Sequence, residues 1–186
     1  TYSCAGGIYA TGKVNDCIIE DNICSVYTAY SIDPSSTYGG GIYNAGEVNN
    51  CIIRNNITEA NSHVSSYSYG GGIYNTGKVK HCFIMNNLAK STFSDYPPSQ
   101  QNNIPAYSYG GGIYNSGNVS NCVIANNSCL SISDDLSLTY TYGGGIYNSF
   151  SGIVYCSTIV NNSSDYDYEV NMNSSSSEEE LQNRSY

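Results

Sequence analysis

One phrase occurs five times in this chain and constrains its fold more than any other feature. The copies are Gly6-Gly7-Ile8-Tyr9, Gly39-Gly40-Gly41-Ile42-Tyr43-Asn44, Gly70-Gly71-Gly72-Ile73-Tyr74-Asn75, Gly110-Gly111-Gly112-Ile113-Tyr114-Asn115 and Gly143-Gly144-Gly145-Ile146-Tyr147-Asn148. Each runs on through a Gly and a Val or Ile into a segment of the form Cys51-Ile52-Ile53-Arg54-Asn55-Asn56. The last glycines of successive copies stand 34, 31, 40 and 33 residues apart. A unit of that length cannot bury its apolar face alone and must stack on its neighbours, which is the signature of a solenoid.

The second copy shows how one coil is built. Gly39 to Tyr43 reads as a short strand, and Asn44-Ala45-Gly46 as a turn. Val48 to Arg54 reads as a second strand closed by an Asn55-Asn56 corner, and Thr58 to Tyr67 as material for a third. No segment has a helical period. The expectation is therefore an all-β parallel β-helix, or β-solenoid, of about five coils, rising ~4.8 Å per coil. Ile8, Ile42, Ile73, Ile113 and Ile146 should form one inward column. The stretch from Ala89 to Tyr107 contains Pro97, Pro98 and Pro105, which cannot donate to a ladder, and reads as an excursion from the coil.

Alternation assigns the faces of the second strand. Cys17, Cys51, Cys82 and Cys122 should line an inward column above Ile19, Ile53, Ile84 and Ile124. Asn22, Asn56, Asn87, Asn127 and Asn162 recur at the corner, where stacked amides can hydrogen-bond from coil to coil and a left-handed backbone is tolerated. Ile18, Ile52, Phe83, Val123 and Thr158 should point outward beside Met85 and Val160, an apolar stripe to be covered either by the Ser/Tyr-rich linkers or by another protomer. In the fifth copy Ser157 takes the ladder position and Cys156 shifts by one residue, which turns it to another face. After Asn162 the repeat dissolves, so the domain reading is a solenoid over 1–163 and an acidic Ser/Glu-rich tail over 164–186, disordered by composition.

Composition narrows the function. The net charge is -9 with only six Lys and Arg, so no basic stripe exists to neutralise phosphates and nucleic acid is excluded as a partner. Twenty Tyr against three Phe and no Trp suit half-buried sheet surfaces. No run is long enough for a membrane helix. The chain begins at Thr1 and is read as a mature, exported form, at an extracellular or cell-surface location. Glycosylation is expected at Asn56, Asn118, Asn173 or Asn183, each within an Asn-x-Ser/Thr sequon.

Catalysis finds no support in the pattern. Asp16 and Asp21 give way to Asn50 and Asn55 in the next coil, so no acidic ladder forms, and Asp134-Asp135 and Asp165-x-Asp167 read as solvated turns. His63 and His81 adjoin no nucleophile signature. The glycine phrase lacks the Lys-Ser/Thr of a phosphate loop, and the cysteines lack zinc or haem spacing. No cofactor, metal or enzymatic role is expected.

The phrase Gly-Gly-Gly-Ile-Tyr-Asn followed by Cys-x-Ile-x-x-Asn resembles the repeats of right-handed parallel β-helix surface proteins of the polymorphic outer-membrane type, over Cys4 to about Asn162. The resemblance implies an exported structural or adhesive role. Size and composition also resemble sheath or filament subunits of some prokaryotes. The reading is a structural protein that self-assembles end to end into a filament, sheath or surface layer. The alternatives are an adhesin module binding glycans and, behind it, a fragment of a carbohydrate-active enzyme. The ladder cysteines are expected as buried free thiols, because stacked Cβ atoms stand farther apart than a disulfide prefers. At least one of Cys4, Cys24, Cys129 and Cys156 is expected to bond another chain, unless folded linkers bring these four together within one chain.

Overall fold

The computed structural model describes residues 1–28, 33–94, 105–134 and 138–169. All regular structure in it is β, arranged as five parallel sheets of five strands, so every coil contributes one strand to every sheet. In the second coil the strands are Ser35–Tyr38, Ile42–Asn44, Glu47–Asn49, Ile52–Arg54 and Ile57–Ser62, numbered below as the first to fifth sheets. Register is uniform from coil to coil: Ile8, Ile42, Ile73, Ile113 and Ile146 pair in one column, as expected.

The coil has more corners than the sequence suggested. Val48 to Arg54 is two strands, broken where Asn50 takes a positive φ of 53°. The matching corner residues are Asp16, His81, Asn121 and Cys156, all at positive φ. A second such corner lies at Asp21, Asn55, Asn86, Asn126 and Asn161. The left-handed residue of each Asn-Asn pair is thus the first, exposed one, and the second turns inward. The segment expected as one third strand is likewise two, Ile57–Ser62 and Ser66–Tyr69. The excursion from Ala89 is also shorter than expected, because Leu88–Phe93 and Ala106–Tyr109 are coil strands in full register.

The glycines divide the interior. Gly39 turns the chain at φ 66°, a place held in the first coil by Ala5 at φ 62°. A Cβ on Gly40 would lie 2.2 Å from the Gly71 carbonyl and 2.5 Å from the Ile57 backbone, so the coil is pinched here to backbone thickness. On one side the second, third and fourth sheets enclose an apolar core of Ile42, Val48, Cys51, Ile53 and their stacked equivalents. On the other, the first and fifth sheets face each other across small polar side chains. Several of their hydroxyls donate to carbonyls of the opposite sheet: Ser35 Oγ to Asn61 O (3.1 Å), Ser108 Oγ to Leu130 O (2.8 Å) and Ser131 Oγ to Tyr140 O (2.9 Å). This is why Ser-rich sequence forms buried strands here.

The fifth coil ends with the strand Ser163–Glu169, paired to Ser128–Asp134. Solenoid pairing therefore runs past residue 163 into the stretch assigned to the tail, and Asp165 and Asp167 lie on an exposed strand face, not a turn. The remainder of that tail, with Asn173 and Asn183, lies outside the described residues.

Candidate functional site

Three features of this coil bear on function: the buried ladders, a wall of tyrosines, and the faces of the outermost coils. The ladder of Asn22, Asn56, Asn87, Asn127 and Asn162 sits at the pinch. From Asn56 onward each Oδ1 accepts from the backbone N–H and from Nδ2 of the preceding coil's Asn, at 2.9 to 3.1 Å. Each inner Nδ2 also donates back to an isoleucine carbonyl, as Asn87 does to Ile53 O at 3.0 Å. A second ladder, unmarked in the sequence reading, runs from Asn44 through Asn75 and Asn115 to Asn148 at 2.7 Å per step. Its signal was present, because the same phrase ends in Asn four times.

Asn56 is fully buried with its amide engaged in the ladder, so a glycan cannot be carried there by the folded chain; this corrects the expectation. Asn118 lies half-buried on a third-sheet strand.

The inward cysteine column is present, and all eight cysteines are free thiols. Cys17, Cys51, Cys82 and Cys122 each donate S–H to the carbonyl two residues earlier, at 3.0 to 3.2 Å. Ser157 makes the same bond to Tyr155 O (3.1 Å), which explains how serine replaces cysteine in the fifth coil. Between the touching pair Cys82 and Cys122, the hydrogen bond to Cys122 and then burial hold the Cys82 thiol above its usual range. Cys24 and Cys129 share one column on the fifth sheet, with Thr58 and Ala89 between them. Both face inward at 2% and 0% exposure, and burial pushes the Cys129 thiol up to about 12. Neither can reach another chain while the coil is closed, so the set of interchain candidates shrinks to the half-buried Cys4 and the exposed Cys156.

The tyrosines stand in columns on the outer faces of the first and second sheets. Tyr9, Tyr43, Tyr74, Tyr114 and Tyr147 stack at 4.7 to 5.2 Å between ring centroids. Tyr38, Tyr69, Tyr109 and Tyr142 stack at 5.0 to 5.2 Å, and Tyr67, Tyr107 and Tyr140 at 5.0 Å. The first two columns meet edge to face across the glycine corner, as Tyr69 does with Tyr114 at 5.2 Å. Burial first, and neighbouring tyrosines second, hold Tyr69 and Tyr109 above their ordinary range and push Tyr74 up to about 12. At the head of this wall Tyr2, Cys4, Tyr38, Tyr43 and Tyr74 line a hollow of about 320 Å³. Burial, then Cys24, raises the Cys4 thiol.

The expected outward stripe is present on the fourth sheet, with Ile18 and Phe83 61% and 49% exposed. Three carboxylates are ion-paired: Glu20 with Arg54 (2.6 Å), Glu47 with Lys80 (3.5 Å) and Glu59 with Lys90 (2.8 Å). Among the described residues no cluster of three or more His, Cys, Asp or Glu could hold a metal ion, and no helix is long and apolar enough to cross a membrane.

A family model described as disaggregatase related matches residues 1–104 of the 186. The polymorphic outer-membrane resemblance of the repeat phrase is not what this match returns. No curated protein and no solved structure matches the chain.

Proposed function

Because this chain belongs to the disaggregatase-related family and folds as a β-solenoid, it fits a surface or structural repeat protein, and we propose that it acts by stacking end to end on further copies of itself. The assembly would be a filament, sheath or surface layer outside the cell, with no catalytic step. The observation that carries this reading is the state of the fifth coil. Ile159 belongs to the inward column of Ile53, Ile84 and Ile124, which are 0% exposed, yet it is itself 52% exposed because no described residue stacks beyond it. Ile146 and Val154, which end the inward columns of Ile113 and Val119, are likewise half-buried where Ile113 and Val119 are fully buried. An apolar coil face with unpaired strand edges is a template for further strand addition. A head-to-tail contact of this kind does not close on itself and generates a fibre.

Electron microscopy of native material, with sedimentation of the purified chain over a concentration series, tests the reading. Threads or sheets, and a mass that grows with concentration, are expected; a monomer at every concentration would contradict it. The tyrosine wall favours a second reading, glycan adhesion. Stacked aromatic rings beside a hollow offer flat apolar area and hydroxyls to a sugar face. Polysaccharide retention that is lost in Tyr69→Ser with Tyr109→Ser would support that role.

A further inference from the structure

The outermost coils match one another column by column, and this fixes a register for the stacking proposed above, on which the inference rests. Ile146 continues the column that starts at Ile8, Val154 that of Val14, Ile159 that of Ile19, and Tyr147 that of Tyr9. Placing a first coil beneath a fifth coil therefore sets like on like in these three inward columns and in the tyrosine column. A slip of one residue would turn Ile18 and Glu20 inward.

The amide ladder gives the joint a direction. Every inner Asn accepts on Oδ1 from the coil before it and donates to the coil after it. At Asn22 the Oδ1 has no partner among the described residues, and at Asn162 the backbone N–H has no acceptor in a following coil. One face thus presents an acceptor and the other a donor. Joining two first coils would oppose acceptors, and joining two fifth coils would oppose donors. The second ladder is closed at both ends by contrast: Ala10 stands in its column, and the Asn148 amide turns onto Gly152 O at 2.8 Å.

Charge agrees with this match. The acidic residues on the outer edge of the first coil are Asp16, Glu20 and Asp21. Their column-mates in the fifth coil are Cys156, Val160 and Asn161, none of which carries a carboxylate. Among the described residues of these columns no carboxylates meet, despite a chain of net charge -9.

We infer that the docking partner of the fifth-coil face is the first coil of a second copy, in register and head to tail, with Asn162 donating to Asn22 of the next copy. The joint holds without a disulfide. Cys156 comes beside Asp16 of the next copy, whereas Cys4 continues the column of Tyr142 on a different sheet, so the two accessible cysteines never meet.

The register is tested by introducing Asp16→Cys into the full chain. Side chains of this corner column reach one another within a chain, as Asn50 Nδ2 does to Asp16 Oδ1 at 2.5 Å. Cysteine also tolerates the backbone there, since Cys156 adopts φ 50° where Asp16 has 55°. Copper–phenanthroline oxidation of assembled Asp16→Cys should give a non-reducing ladder of oligomers that collapses with thiol and disappears in Asp16→Cys with Cys156→Ser. The unmodified chain and Asp21→Cys, whose residue lies one corner away, should give no such ladder. Assemblies visible by electron microscopy that crosslink through Asp21→Cys, or through neither, would overturn the register while leaving end-to-end stacking intact. Absence of both assemblies and crosslinks would overturn the stacking as well.

Discussion

Truncating Asn87 to alanine is the sharpest test of the asparagine ladder. The Asn87 side chain accepts from Asn56 N–H (2.9 Å) and Asn56 Nδ2 (3.0 Å), and donates to Ile53 O (3.0 Å) and Asn127 Oδ1 (2.9 Å), at 1% exposure. Alanine leaves the buried Asn56 N–H and the Ile53 carbonyl without their partners. Each orphaned buried group costs about 1–3 kcal/mol, so the variant should lose about 2–6 kcal/mol. Asn162→Ala breaks the equivalent bonds of Asn127 at the half-buried last rung, where water can replace them, and should cost about 1 kcal/mol. Urea unfolding followed by far-ultraviolet circular dichroism compares the two midpoints, and hydrogen exchange at the Asn56 amide reports the local loss. An Asn87→Ala chain as stable as Asn162→Ala would refute the claim that the buried amides hold the coils together.

Further outcomes follow from the same geometry. Gly71→Ala should destabilise by about 3 kcal/mol or more, because its Cβ would lie 2.3 Å from both the Gly111 carbonyl and the Leu88 backbone; Gly12→Ala, with nothing within 4 Å, should be neutral or stabilising by about 0.5 kcal/mol in the same melts. Maleimide labelling of the native chain should modify Cys156 quickly and Cys51, Cys82, Cys122, Cys24 and Cys129 only after denaturation, as read by mass spectrometry. Tyrosines whose folded pKa is raised contribute stability that is complete below the ordinary value of about 10 and is lost as pH rises through the folded value, about 12 for Tyr74. The tyrosinate absorbance should therefore rise late and together with unfolding between those limits, and a normal titration of all tyrosines with the fold intact would contradict the stacked columns.

The solenoid, its isoleucine columns and the Asn56 ladder were legible because strict repetition and alternation leave little choice of face. The number of strands per coil was not. Corners at Asn50 and Asn55 depend on a left-handed backbone that asparagine tolerates, yet His81 and Cys156 occupy the same corner without any such mark. The Ser- and Tyr-rich segments read as linkers because serine is a turn residue. Here the inward Ser68 and Ser108 donate to carbonyls of the opposite sheet, and the period-two pattern Ser66-Tyr67-Ser68-Tyr69, echoed at Ala106-Tyr107-Ser108-Tyr109, was the available signal. Burial of Cys24 and Cys129 was hidden because faces were assigned only within the second strand of the coil, and nothing marked the column of Thr58 as inward. Asn56 satisfies a glycosylation sequon and a structural ladder at once, and only packing decides between them.

The central claim is that coils of successive copies continue one another. Helical reconstruction of the assembled chain by electron cryo-microscopy measures this directly. Five coils at ~4.8 Å predict an axial rise of roughly 24 Å per copy, with all copies pointing the same way and coil density unbroken across each joint. Copies related by two-fold axes, or packed side by side through the stripe of Ile18 and Phe83 with gaps between their ends, would contradict it.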